Sequence, residues 1–542
     1  MALPGKCRLA LLLSLQILAT QQRRLEDASS LLQEKMVKAE ACDLLHPLEG
    51  LKWTHSKKMG NNTVYSGNLT VPLSPHAEDK DDTPFLDLLV MLVVPPGPSE
   101  PVLVHCGGPG SDATCVLGNS IQGYAGFSIS QRGIGVTANP IFECDPNYMK
   151  FPPKGKSQYE ISDFTDCPCA LPDGAPLVGQ SFANLDPNND SQVEVLFRSM
   201  AVRSRRCAAD SKWMLTGPRG KKYNFLEWSG TRMLAHDIDF FRSRICAPKL
   251  NLNGDSYGTA VAAVYADMFP DRVAKMVING NMPPVPHTLE FAKGQGMALT
   301  QAFGHLERMC VKWTSTHPCD YFSDEMSLTK AWNTLIGEIR AGRLTAPTNL
   351  PAMGQGGNVS FPLSIGLLQG YVQELMIIAG FVPTGWAKPV LTLVNLAGMR
   401  GQRARVDQVA KILDRYCTLP TGYSGEWSGI KTWRVYGVCI GQQSVGLSNS
   451  ESDSRLEGLG VPMRRRGVDG FVNEGTVLGQ DLFGRFTVAQ AMGAYRAFRA
   501  EWEEMATSSF VGIFSAFFAW DAEAIPVQAS GLWVHLVTEG FA

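Results

Sequence analysis

The sequence predicts an α/β fold. A mostly parallel central sheet carries an inserted helical cap, and the C-terminal end of the core reads as incomplete. Three observations lead there. Asp87–Val94, Pro101–His105 and Phe127–Ser130 are short runs apolar on both faces, as strands in the buried middle of a parallel or mixed sheet are. Lys249–Asn253, Gly258–Met268 and Val273–Asn279 then follow one another as strand, helix and strand, the alternation of an α/β sheet. From Pro283 to about Ser509 segments with a helical period, such as Leu289–Val311 and Ser327–Ala341, replace the strands, and a helical cap fits that order.

At 542 residues, 44% of them apolar, the chain can bury a large core with an insertion. Its 49 Lys+Arg against 51 Asp+Glu leave a net charge of −2. That balance excludes a nucleic-acid binder working through a basic surface, and 18% charged residues exclude a disordered polyelectrolyte. With 53 glycines and 33 prolines the chain is rich in loops without being collagenous.

In chain order, residues 1–19 read as a secretory signal. Lys6 and Arg8 precede the apolar run Leu9–Ala19, which is shorter than the roughly 20 residues of a membrane span. No later run is long enough to span, so a soluble mature protein is expected, secreted or held in the secretory lumen, with a retained signal anchor as the alternative. Residues 20–60 read as an N-terminal arm and 61–284 as the first part of the core. A surface insertion rich in Pro, Asp, Asn and Ser falls at about 145–192. The cap is 285–509, and 510–542 begins the C-terminal part of the core. Sequons at Asn61, Asn68, Asn189 and Asn358 suit export. So does the even set of twelve cysteines from Cys42 to Cys439, widely spaced as in a disulfide-bonded protein, whose pairing the spacing leaves open. Cys167-Pro-Cys169 lacks a second pair or a neighbouring histidine, so no metal site is expected.

The chemistry centres on Gly254-Asp255-Ser256-Tyr257-Gly258. A G-x-S-x-G pattern alone arises by chance in roughly one chain in five of this length, so its context decides. Here it follows a strand without a gap and opens a helix of small residues, as a nucleophile elbow requires. Flanking glycines are needed where side chains would strike neighbouring backbone, and the helix N-terminus brings N–H groups to the serine. Gly107-Gly108-Pro109-Gly110 directly follows another strand, where a turn can offer a backbone N–H to an oxyanion; the N–H of Tyr257 would be the second donor.

GGPG followed by GDSYGT resembles the proline iminopeptidase and tripeptidyl aminopeptidase branch of the α/β-hydrolases. The resemblance runs on from Gly254 to Pro284. It includes the helix-forming stretch upstream of the elbow and the turn Gln131-Arg132-Gly133-Ile134-Gly135, similar to the family's D-x-R-G-x-G, with Ser130 at the aspartate position. It implies an α/β-hydrolase fold, Ser256 as acylating nucleophile, and the N–H groups of Gly108 and Tyr257 as oxyanion donors. It also implies release of residues or short peptides from peptide N-termini, and no metal or organic cofactor. A peptide or small acyl compound is the expected substrate. An esterase of the same fold and a non-catalytic binding relative are the alternatives.

In this fold the acid and then the histidine follow the serine in the chain. The stretch Ile525–Leu536 resembles the strand that ends in the acid, with Val534 at the aspartate position. His535, the only histidine after His317, is the candidate base by chain order, and Asp521 the candidate acid; His105, beside the glycine turn, is a second candidate base. The family's last strand and its histidine have no room before Ala542. Loss of the histidine from a serine protease costs on the order of 10⁶ in turnover, so the chain as written is expected to be nearly inactive.

Overall fold

The computed structural model describes residues 42–134, 138–140, 186–282, 287–312, 328–342, 350–352, 357–359 and 486–502, with the single residues 365, 369, 459, 506, 507, 510 and 511. Its main sheet is built from β1 (Leu51–Met59), β2 (Asn62–Pro72), β3 (Phe85–Val94), β4 (Glu100–His105) and β5 (Tyr124–Ile129), joined later by β8 (Leu250–Asp255) and β9 (Val273–Asn279). A small hairpin of β6 (Met214–Thr216) and β7 (Lys222–Asn224) lies apart from it. The helices are α1 (Asp190–Ala208), α2 (Thr231–Arg244), α3 (Tyr257–Met268), α4 (Thr288–Lys312), α5 (Leu328–Arg340) and α6 (Val488–Glu501).

The strand order is β1-β2-β3-β5-β4-β8-β9. Successive pairs from β1 to β5 are antiparallel, and β5, β4, β8 and β9 run parallel. The chain goes outward from β4 to β5 on one side, then crosses to β8 on the other. The carboxyl ends of β4 and β8 therefore flank the point where the strand order reverses, where open α/β sheets bind their ligands.

The apolar runs of β3, β4 and β5 are buried almost throughout, as sequence patterning requires. On one face Val90, Leu92, Leu103 and Phe127 share a core with Phe241 of α2 and Val261 and Tyr265 of α3, and Phe127 stacks on Phe241 at 4.2 Å between centroids; on the other, Met91, Val93 and Val104 pack on Ala113 and Val116. The helix α3 is buried along Tyr257–Ala262 because glycine, threonine and alanine there let it lie close to the sheet.

Three features depart from the sequence reading. The arm assigned to 20–60 contains β1, an edge strand paired with β2. Thr54, His55, Ser56 and Lys58 are exposed, so no apolar alternation marked it, and a polar edge strand of this kind resists pairing with other chains. A second core belongs to helices: Val193, Leu196 and Phe197 of α1 pack with Ala292 of α4, Met492 and Phe498 of α6, and Phe510 and Val511. The helical layer thus recruits a helix from before the elbow, and it reaches past residue 509. Finally, β9 is largely apolar yet exposed, with Val277 61% accessible, and among the described residues no strand pairs with its outer edge.

Among the described residues two disulfides are present. Cys42–Cys246 ties the segment before β1 to the end of α2, and Cys106–Cys115 closes a short loop after β4. Among the described residues no helix is long and apolar enough to cross a membrane.

Candidate active site

β8 ends in a sharp turn and α3 begins at once. Ser256 occupies the turn with φ 53° and ψ −120°, a conformation that costs a residue with a side chain about 1–3 kcal/mol. The surroundings enforce it. Ser256 N–H donates to the Asn279 carbonyl at the end of β9 (2.7 Å). The Thr259 hydroxyl donates to the Ser256 carbonyl (2.7 Å) and accepts from Met282 N–H (2.9 Å). Ser256 is exposed while Tyr257, the next residue, is buried.

The flanking glycines are required by close backbone approach. A Cβ on Gly254 would lie 2.2 Å from the Gly258 carbonyl oxygen, and one on Gly258 would lie 2.4 Å from the His105 carbonyl oxygen. β4 and β8 pair in parallel with His105 opposite Gly254, so the glycine-rich turn and the elbow leave the sheet side by side.

That turn, Gly107–Gly110, has φ +81°, +70° and +80° at Gly107, Gly108 and Gly110, with Pro109 between them. A Cβ on Gly107 would sit 2.6 Å from the Asp255 carbonyl oxygen and 2.7 Å from Ser256 Cβ, which places the turn directly against the serine. The turn is held from several sides. Cys106, immediately before it, is bonded to Cys115 in the short helix Ala113–Leu117. Ser111 Oγ donates to the Gly107 carbonyl. Gly110 N–H donates to Gln131 Oε1 (2.5 Å), and Ala113 N–H donates to Ser130 Oγ (3.0 Å). Ser130 thus meets a backbone donor without a carboxylate.

Arg132 fixes the strand end that carries Gln131. Its guanidinium makes two hydrogen bonds to Asp237 (2.9 and 2.8 Å) and donates to the carbonyls of Leu73, Trp228 and Pro72. Both side chains are 2% exposed. Burial pushes the Asp237 carboxyl upward, against the pull of Arg132.

His105 lies beneath the turn. Its Nδ1 accepts a long hydrogen bond from Gly107 N–H (3.4 Å), its ring lies 5.9 Å from that of Tyr257, and its Nε2 is buried without a partner. Complete burial lowers its pKa to about 4, which leaves the imidazole neutral and weakly basic. These contacts make it a packing residue of the turn; among the described residues no hydrogen bond joins a histidine to Ser256.

The structure therefore brings together Ser256, Tyr257, Gly254 and Gly258 with Gly107, Gly108, Pro109 and Gly110. His535, Asp521 and Val534 lie outside the described residues, as do the signal 1–19 and most of the insertion at 145–192. Sequence reasoning missed the Gln131 contact and the Cys106–Cys115 pair. The second had a signal, two cysteines bracketing the glycine turn. The first had only the position of Gln131 in a turn resembling the family's. Among the described residues no group of three or more His, Cys, Asp or Glu side chains is arranged to hold a metal.

A sheet with this order, a strained serine turn at the end of β8 and helices α2 and α3 packed on one face is the α/β-hydrolase fold. Residues 100–308 match the family model described as alpha/beta hydrolase fold. The chain is 25% identical over 222 residues to serine protease Hip1 of Mycobacterium tuberculosis, a match that covers 41% of this chain and 39% of that protein. It is 44% identical over 50 residues to a tripeptidyl aminopeptidase of Streptomyces lividans, 9% of either chain. The chain thus spans about two fifths of the length of the first of these relatives and far less of the second. A solved 2-hydroxy-6-oxo-6-phenylhexa-2,4-dienoate hydrolase from Rhodococcus sp. strain RHA1 aligns over 42% of this chain and 52% of that one at 13% identity and TM-score 0.19, too slight a likeness to carry an argument.

Proposed function

We propose that this chain is a serine hydrolase of the peptidase type, acting at peptide N-termini through an acyl-enzyme on Ser256. The observation that carries the reading is the exposed Ser256 in its strained turn, pressed against the Gly107–Gly110 turn. Ser256 Oγ attacks the substrate carbonyl carbon, and the carbonyl π electrons move to oxygen. The N–H groups of Gly108 and Tyr257 receive that oxyanion, each donor of this kind contributing about 10²–10³ in rate. Collapse expels the amine, which leaves with a proton, and water then releases the acyl group. Ser256 loses its proton to a base for which His535 is the sequence candidate, oriented by Asp521. The aminopeptidase preference rests on the named relatives and the motifs shared with them. Export to an oxidising compartment is part of the same reading, supported by the two disulfides.

The test is fluorophosphonate labelling with Ser256→Ala as the control, followed by comparison of aminoacyl arylamides with simple aryl esters. Labelling at Ser256 and slow arylamide turnover, above that of the Ser256→Ala control and far below that of a complete triad, are the expected result. Turnover of esters alone makes the protein an esterase. A folded protein that does not label removes the catalytic reading and leaves a binding role for the pocket.

A further inference from the structure

We propose that Gln131 is a positioning residue that holds the oxyanion turn in register with Ser256. The inference rests on the acyl-transfer reading of the site and extends it to a side chain that touches no reacting atom. Gln131 is 2% exposed, two residues beyond the end of β5. Its Oε1 accepts the N–H of Gly110, the last residue of the turn, at 2.5 Å. The first residue of the turn follows Cys106, fixed to Cys115. The turn is thereby fastened at both ends, by a covalent bond before Gly107 and by a buried hydrogen bond at Gly110. Between the two, glycines with positive φ have little conformational preference of their own, so the fastenings decide where the Gly108 N–H points.

The cost of this arrangement is visible. Gln131 Nε2 is buried with no hydrogen-bond partner. A methionine would fill the same volume without leaving a buried donor unpaired, so packing alone does not call for glutamine here. The acceptor for Gly110 does. The Arg132–Asp237 pair next in the chain pins the backbone from which Gln131 projects, so the clamp has a rigid base.

The experiment compares Gln131→Met and Gln131→Glu in the full chain. Methionine removes the acceptor, and glutamate keeps one for Gly110. Two quantities are read: hydrogen exchange of the backbone amides of Gly107, Gly108, Gly110 and Ser111, and kcat and KM on the substrate that the wild type turns over. Gln131→Met is expected to speed exchange of these amides about tenfold, the loss of one hydrogen bond. It should lower kcat about 10- to 100-fold with KM little changed, as a misplaced oxyanion donor does. Gln131→Glu is expected to restore slow exchange. Wild-type exchange in Gln131→Met, or equal exchange in the two variants, overturns the proposal. A kcat loss shared equally with a rise in KM also overturns it, because a merely structural defect does that. If the wild type turns nothing over, the acyl-transfer reading fails on its own, and the exchange comparison still decides whether Gln131 holds the turn.

Discussion

Gly258 lies so close under the end of β4 that a Cβ on it would stand 2.4 Å from the carbonyl oxygen of His105. The second glycine of the serine motif is therefore a contact between α3 and its neighbouring strand. Nothing at that contact can yield, because the atom met is backbone. Gly258→Ala is expected to destabilise the protein by about 1–3 kcal/mol or more, as overpacking of a dense core does. The urea midpoint measures it, and a midpoint equal to wild type would show that α3 can slide away from β4.

The neutral, buried His105 makes stability depend on pH. Its pKa is lowered to about 4 in the fold, against 6.5 for the free side chain. Between those values the unfolded chain binds the proton and the folded one does not, so stability rises with pH. The contribution is complete above about 6.5 and lost as pH falls toward 4, and it amounts to about 3 kcal/mol. His105→Gln should flatten the dependence of the melting temperature on pH between 4 and 7. An unchanged slope would mean that the acid sensitivity lies elsewhere, with His236, whose pKa burial also lowers to about 4, the next group to replace.

Arg132 serves more partners than Asp237 does. Removing one member of a buried ion pair costs about 3–5 kcal/mol. Arg132→Met also strips a donor from the carbonyls of Leu73, Trp228 and Pro72, whereas Asp237→Asn leaves those bonds in place. Arg132→Met is expected to be the more damaging of the two by denaturant unfolding. Equal losses would assign the whole effect to the ion pair.

The two disulfides have different expected effects. Cys42–Cys246 spans 204 residues and Cys106–Cys115 spans 9. On chain entropy the first is worth about 5 kcal/mol and the second about 2.5 kcal/mol. Replacing Cys42 and Cys246 by serine should lower thermal stability more. Replacing Cys106 and Cys115 should slow fluorophosphonate labelling of Ser256 more, because that pair fastens the turn. A reversed order in either measurement contradicts this division.

The parts legible in the sequence are those that local chemistry decides. β3, β4, β8, α3 and the turns after β4 and β8 could be read because each combines an apolar run with glycines at fixed offsets, and no distant residue is needed to specify them. What the sequence did not reveal depends on long-range partners. Arg132 and Asp237 are 105 positions apart, and nothing local announces that one guanidinium will meet both that carboxylate and three strand and loop carbonyls. Nothing local in α1 shows that Val193, Leu196 and Phe197 pack on α4 and α6. β1 was missed for the opposite reason: most of its side chains face water, so the strand carries no hydrophobic alternation at all.

The outer side of β9 has one more consequence. Met276, Val277 and Ile278 are exposed along a strand whose outer backbone groups face no partner strand among the described residues. An apolar strand edge of this kind is a template onto which one further strand can be added, its main-chain groups giving the hydrogen bonds and Met276, Val277 and Ile278 the apolar contact.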